Sequence, residues 1–389
     1  MDWANSRIAA PRQLDSRRLG PAANSVNAHR LEQLHTAAYA GIGHTALRGG
    51  LRGEQPVTPK QRVYEALNHR ETDIVPYNLP LTEAAQEKLL ALRGQAALDS
   101  IVNHFGVASI DAMHREKSEG DTFEDIFGTV WRAGNIYHVV RAPLIQPTLQ
   151  GYEFPDLTRA DLSESVRSVC QQNGHRFLAC GIGMSFFERA WALRGMEQLL
   201  IDFVEHPRFV EDLLDHLMEL HFTAVDVVTQ YPIDAVYFGD DFGQQRGLIT
   251  GPHHWRRYLK PRLRQMYAYA KKKGCRVIIH SCGDISEIIP ELIEMEVDII
   301  NPFQPEAMDV FALKREYGNY VTFNGGVGTQ WLLPRGTPEE IRAAVRECVR
   351  RLGAGGGYVM EPAKPVMEDV PAGNVAALVD AFTRQGESQ

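Results

Sequence analysis

In this 389-residue chain, His280-Ser281-Cys282 sets an imidazole and a thiol one residue apart. Imidazole nitrogen and thiolate sulfur are the usual protein ligands of zinc, and in extended chain residues i and i+2 share a face. A catalytic zinc takes three protein ligands and keeps one position open. No second cysteine follows at a later strand end, so carboxylates are the substitutes: Glu361, Asp240 or Asp241. Lys364 supports the opposite reading, a cation standing where a third ligand belongs, because two positive charges a few Å apart repel strongly in a dry pocket. Asp240 and Asp241 are also acid–base candidates. Crowding two carboxylates raises one pKa, and neighbours in extended chain point opposite ways, so only one of the pair needs to face a pocket.

The elements around these residues alternate. Strand-like runs cover 177–181, 235–239, 277–280, 299–301, 321–324 and 358–360, and helical patterns fill 255–272, 285–294, 310–317 and 338–352. Such alternation predicts parallel strands joined by crossover helices, and six or more units favour a closed (β/α)8 TIM barrel over an open sheet. No G-x-G-x-x-G follows a first strand, against a dinucleotide fold. Reactive groups of a barrel stand past the C-terminal ends of its strands. Five consecutive strands there deliver Asp240, Asp241 and Gln244; His280 and Cys282; Asn301 and Gln304; Asn324 and Gln330; and Glu361 and Lys364. The glutamines and asparagines of this set are candidate substrate-binding groups.

Upstream, Thr58-Pro59 reads as an N-cap with proline at the first helical position, followed by a short strand at 73–77. Residues 1–57 differ in composition: seven Lys+Arg, four Asp+Glu, and one weak amphipathic helix through Val26, Leu31, Leu34 and Ala38. They read as an N-terminal extension or oligomer arm, with a homodimer as the matching assembly, ahead of a barrel over 58–389.

Composition excludes several classes. The net charge of −8 argues against a general nucleic-acid binder, and no apolar run reaches the roughly 20 residues that span a bilayer. Five cysteines without a framework pattern, and no secretory leader, point to a reducing, cytoplasmic setting. Cys170 and Cys348 fall at helix-core spacing. Between Phe242 and Gly283 there is no acidic residue but ten Lys and Arg, from Arg246 to Arg276. An outer helix with its positive end complementing the dipole explains most of them, and a docking surface is the rival reading.

Several segments together resemble the uroporphyrinogen decarboxylase superfamily, in its branch near the corrinoid-linked methyltransferases. They are 59–69 with Asp73-Ile74-Val75-Pro76, Asp125 to Trp131, Gly239-Asp240-Asp241-Phe242-Gly243, His280 to Asp284, Asn301-Pro302-Phe303-Gln304, and Gly356 to Val359. The resemblance implies a TIM barrel with its site at the C-terminal rim. In the methyltransferases a His-x-Cys pair and a later Cys bind zinc, which favours the thiolate of an acceptor that takes a methyl group from methyl-cobalt. His280 and Cys282 match the first two positions; the later Cys falls near Lys364 and is missing. The Arg-rich stretch of the true decarboxylases has no match between Val63 and Pro80.

The expected activity is therefore a zinc-dependent methyl or alkyl transferase acting on a small molecule, with His280, Cys282 and a carboxylate (Glu361 or Asp240) on the metal. The resemblance implies a corrinoid on a partner protein as one candidate methyl donor. Two alternatives stand beside it. One is a metal-free lyase or decarboxylase in which Lys364 anchors a carboxylate and Asp240 or Asp241 handles the proton. The other is a non-catalytic small-molecule binder.

Overall fold

The computed structural model describes residues 57–134 and 137–385. Apart from Val57, the 1–57 extension and its weak helix lie outside the described residues.

Seven parallel strands form one sheet: β1 (Phe105–Ile110), β6 (Phe177–Ile182), β7 (Ala235–Gly239), β10 (Arg276–His280), β11 (Ile299–Phe303), β12 (Thr322–Val327) and β13 (Tyr358–Pro362), adjacent in that order. The numbers between belong to β2 (Arg115–Glu119), β3 (Thr122–Asp125), β4 (Val130–Arg132) and β5 (His138–Arg141), and to a small hairpin, β8 (Gly243–Gln244) and β9 (Gly247–Leu248). Tyr77 supplies the eighth stave. It bridges Met360 of β13 in parallel, while its carbonyl accepts from His104 N, just ahead of β1. The ring therefore closes as a TIM barrel, and the short strand expected at 73–77 reduces to this closing contact.

Helix Pro59–Leu67 begins as its sequence predicts. Thr58 Oγ1 accepts from Gln61 N at 3.2 Å, and the Gln61 side chain accepts from Thr58 N at 2.9 Å. Its apolar face, Val63, Ala66 and Leu67, packs with Phe177, Ala235 and Ile299 of the barrel interior. Tyr64 Oη donates to Asp234, the residue before β7, at 2.7 Å, and Lys60 pairs with the same carboxylate. This helix thus plugs the N-terminal end of the barrel and leaves the opposite end open for chemistry.

Two elements were not foreseen from the sequence. Strand β1 was unread, and beyond its C-terminal end the chain makes the antiparallel sheet β2-β3-β4-β5. That sheet packs Phe123 and Trp131 onto Ala192 of helix Phe187–Arg194. At its centre the buried Asp125 accepts from Phe127 N, Thr129 N, Trp131 Nε1 and Arg189 Nη1, with Arg189 also over the Phe127 ring.

The basic run is largely neutralised by neighbouring helices. Arg256 pairs with Glu291, Lys260 and Arg264 with Glu294, Arg262 with Asp215, and Lys271 and Arg276 with Asp298. These ion pairs, with Lys271 and Lys272 in the last turn of helix Lys260–Lys272, account for much of the basic run within the fold. All five cysteines are free, with Cys170 and Cys348 buried. Among the described residues no helix is long and apolar enough to cross a membrane.

Candidate active site

The ends of β7 and β10 lie side by side, with Gly239 opposite His280. The loops that follow are sewn together: Ser281 Oγ accepts from Phe242 N (2.8 Å), Asp241 Oδ1 from Cys282 N (2.8 Å), and the Gln244 carbonyl from Asp284 N (2.7 Å). Backbone meets backbone here. A Cβ on Gly283 (φ +83°) would sit 2.4 Å from the Gly243 carbonyl carbon, so both the conformation and the space demand glycine.

This seam brings three donors of different chemistry together. One ligand atom each from Asp241, His280 and Cys282 lies within 4.8 Å of the others. His280 Nε2 is 3.6 Å from Cys282 Sγ and 3.7 Å from Asp241 Oδ1. The ring is oriented from behind. Asn301 Oδ1 lies 2.6 Å from His280 Nδ1, and the Asn301 amide donates to Asn324 Oδ1, which fixes that oxygen as the acceptor. His280 Nδ1–H then donates to Asn301, and the Nε2 lone pair faces the thiol and the carboxylate, as in histidines that ligate metals.

The electrostatics of the site are those of an acidic cluster short of positive charge. Burial, reinforced by Asp241, pushes the Cys282 thiol up to about 12, and Lys364 only partly opposes this. Burial, with Asp241 and Asp240 nearby, raises Glu188 to about 9. Burial also lifts Glu361 to about 7 against hydrogen bonds from Asn324 and Asn78. A divalent cation is the natural complement of such a set. Sulfur, nitrogen and oxygen donors in one group of three suit zinc and leave a coordination position for a ligand.

The neighbouring aspartates separate. Asp240 turns away from the seam, and its buried carboxylate accepts from Phe186 N, Phe187 N and Glu188 N at 2.8–3.2 Å, anchoring the start of helix Phe187–Arg194. Burial raises it to about 7 against the pull of those three donors. The third member of the donor group is thus Asp241, in place of the Glu361 or Asp240 expected beside His280 and Cys282. Glu361 instead lines an adjoining cavity of about 230 Å³, together with His280, Asn301, Asn324 and Lys364. Gln304 lies behind the seam, where Oε1 accepts from Gly283 N. Gln244 and Gln330 are exposed and do not line that cavity, and Gln330 meets Glu306 through its backbone N–H.

Three site residues escaped the sequence reading: Asn78, Tyr237 and Glu188. Asn78 Nδ2 donates to Glu361, and Tyr237 Oη donates to Asn301. Glu188 lies in the first turn of helix Phe187–Arg194, where an acid complements the helix dipole. The strand-end rule points toward it only when extended to β6, which the five strands read above do not include.

A parallel barrel with a cluster of side chains that could hold a metal ion at its C-terminal mouth has the layout of TIM-barrel enzymes. The uroporphyrinogen decarboxylase (URO-D) family model matches residues 138–385, and the chain belongs to that family. Among individual proteins, a methylated-thiol–coenzyme M methyltransferase of Methanosarcina mazei is 28% identical over 127 residues, 33% of this chain and 32% of that protein. The match therefore spans about a third of the relative's length. A solved methyltransferase structure from the same organism superposes with a TM-score of 0.61 at 18% identity, covering 84% of this chain and 98% of that one. It is a likeness of fold.

Proposed function

We propose that this chain is a methyl- or alkyl-transferring enzyme whose Asp241, His280 and Cys282 hold a zinc ion beside a small-molecule site. The observation that carries the reading is the convergence of these three donors, with Asn301 turning His280 Nε2 toward the other two. Bound there, zinc supplies Lewis acidity that lowers the pKa of a thiol or hydroxyl acceptor. The methyl donor to that acceptor would be a corrinoid carried by a partner protein.

The chain's own residues do the rest. Asn301 and Asn324 hold the imidazole orientation, and the Asp241 carboxylate ties the Cys282 backbone to the β7 loop. Glu361, raised to about 7, is poised near neutral pH to take the proton that the acceptor gives up. The apolar walls formed by Phe105, Ala179 and Ile278 limit water around the reacting group.

Metal content of the full-length protein, purified without added metal, tests the reading. About one equivalent of zinc is expected, falling at least about tenfold in Cys282→Ala. Less than about a tenth of an equivalent, unchanged by that substitution, overturns it.

A further inference from the structure

The residues after β13 carry a feature that the metal reading leaves unused. Glu361 and Lys364 both line the cavity beside His280, three positions apart, yet they form no ion pair with each other. Lys364 is exposed at the cavity's edge and makes neither a hydrogen bond nor an ion pair with the described residues, so its ammonium is available to a ligand entering there. Glu361 accepts from Asn78 through Oε1, and a carboxylate offers about four acceptor sites, so capacity remains.

Part of the cavity wall is apolar. Phe105, Val107 and Ile278 line it, and Val107 is 49% exposed because its side of β1 opens into the mouth. The volume, about 230 Å³, is below the roughly 300–1,000 Å³ of pockets for drug-sized ligands, which restricts the occupant to a small molecule. An ammonium and a carboxyl that face one cavity without pairing are complementary to a ligand that is anionic at one end and a hydrogen-bond donor at the other.

We propose that the mouth binds a small organic carboxylate-class anion whose charged end meets Lys364, whose hydroxyl or amine donates to Glu361, and whose apolar body lies on Phe105, Val107 and Ile278. This deepens the active-site reading above and rests on it for the identity of the reacting end. Lys364 is then a specificity-determining residue in the place where the resemblance implies a metal ligand.

Calorimetric titration of the full-length protein, with zinc bound and after chelation, tests this with three probes: 4-hydroxybenzoate, 4-hydroxybenzamide and benzoate. The hydroxy acid is expected to bind about tenfold more tightly than either the neutral amide or the acid lacking the donor. Lys364→Ala should abolish the preference over the amide, and Lys364→Arg should retain part of it. Equal affinities for the three probes, an unchanged preference in Lys364→Ala, or no binding up to about 10 mM overturns the proposal. The two readings fail separately. Absence of zinc with the probe preference intact sinks the metal site alone, and a full zinc complement with no preference sinks this one alone.

Discussion

In the proposed zinc site, His280 depends on its neighbours as much as on its own chemistry. The Asn301 amide is locked by Asn324, so it selects the tautomer that leaves Nε2 free. Asn301→Leu should weaken zinc binding about 10- to 100-fold while the fold persists, read by competition with a chromogenic chelator. Cys282 gives a second prediction. Because burial and Asp241 keep its thiol protonated up to about 12, zinc binding at neutral pH should release about one proton per metal from it, measured by titration in two buffers of different ionisation enthalpy. Glu361 fixes the sign of a pH effect. Its folded pKa is raised to about 7, so its contribution to stability is complete below the ordinary carboxyl range and is lost as pH rises through 7. In chelator, the urea midpoint should fall between about pH 5 and pH 8.5, and by less in Glu361→Gln.

Helix Phe187–Arg194 joins two parts of the molecule. Its first N–H groups sit on Asp240, its Glu188 stands beside Asp241, and its Arg189 is buried against Asp125 of the inserted sheet at 2.8 Å. Removing one partner of a buried pair strands the other charge. Asp125→Ala should cost roughly 3–5 kcal/mol in urea unfolding, with zinc content per folded molecule retained. The segment from Asp125 to Trp131, which carries part of the family resemblance, thus acts in packing, as the hub of a sheet above β1. It was legible as a motif but not as an element, because strands of three to five residues with exposed, charged faces leave almost no alternation to read.

Across the whole molecule the two barrel ends divide the work. At the plugged end, Asp234 collects Tyr64 Oη, Lys60 and Leu178 N. Tyr64→Phe should lower stability by about 1–2 kcal/mol and leave zinc stoichiometry unchanged, which unfolding and metal analysis on one sample decide. The barrel itself was readable because its strands are buried on both faces and appear as short apolar runs between amphipathic helices. Tyr77 marks the limit of that reading: the short strand expected at 73–77 is held to β13 by one bridge at Tyr77, too little to show from the sequence as a barrel stave.

By itself, the sequence determined the strand-helix alternation, the polar groups at five strand ends and the pairing of His280 with Cys282, since each depends on local order along the chain. Only the tertiary structure set Asp241 and not Asp240 beside His280 and Cys282, placed Asn301 behind His280, and put Lys364 and Glu361 on the lining of one cavity. Those outcomes depend on which strand lies beside which. Parallel register sets Gly239 against His280, and a side chain's partner across a barrel can lie a hundred or more residues away, where no local pattern records it.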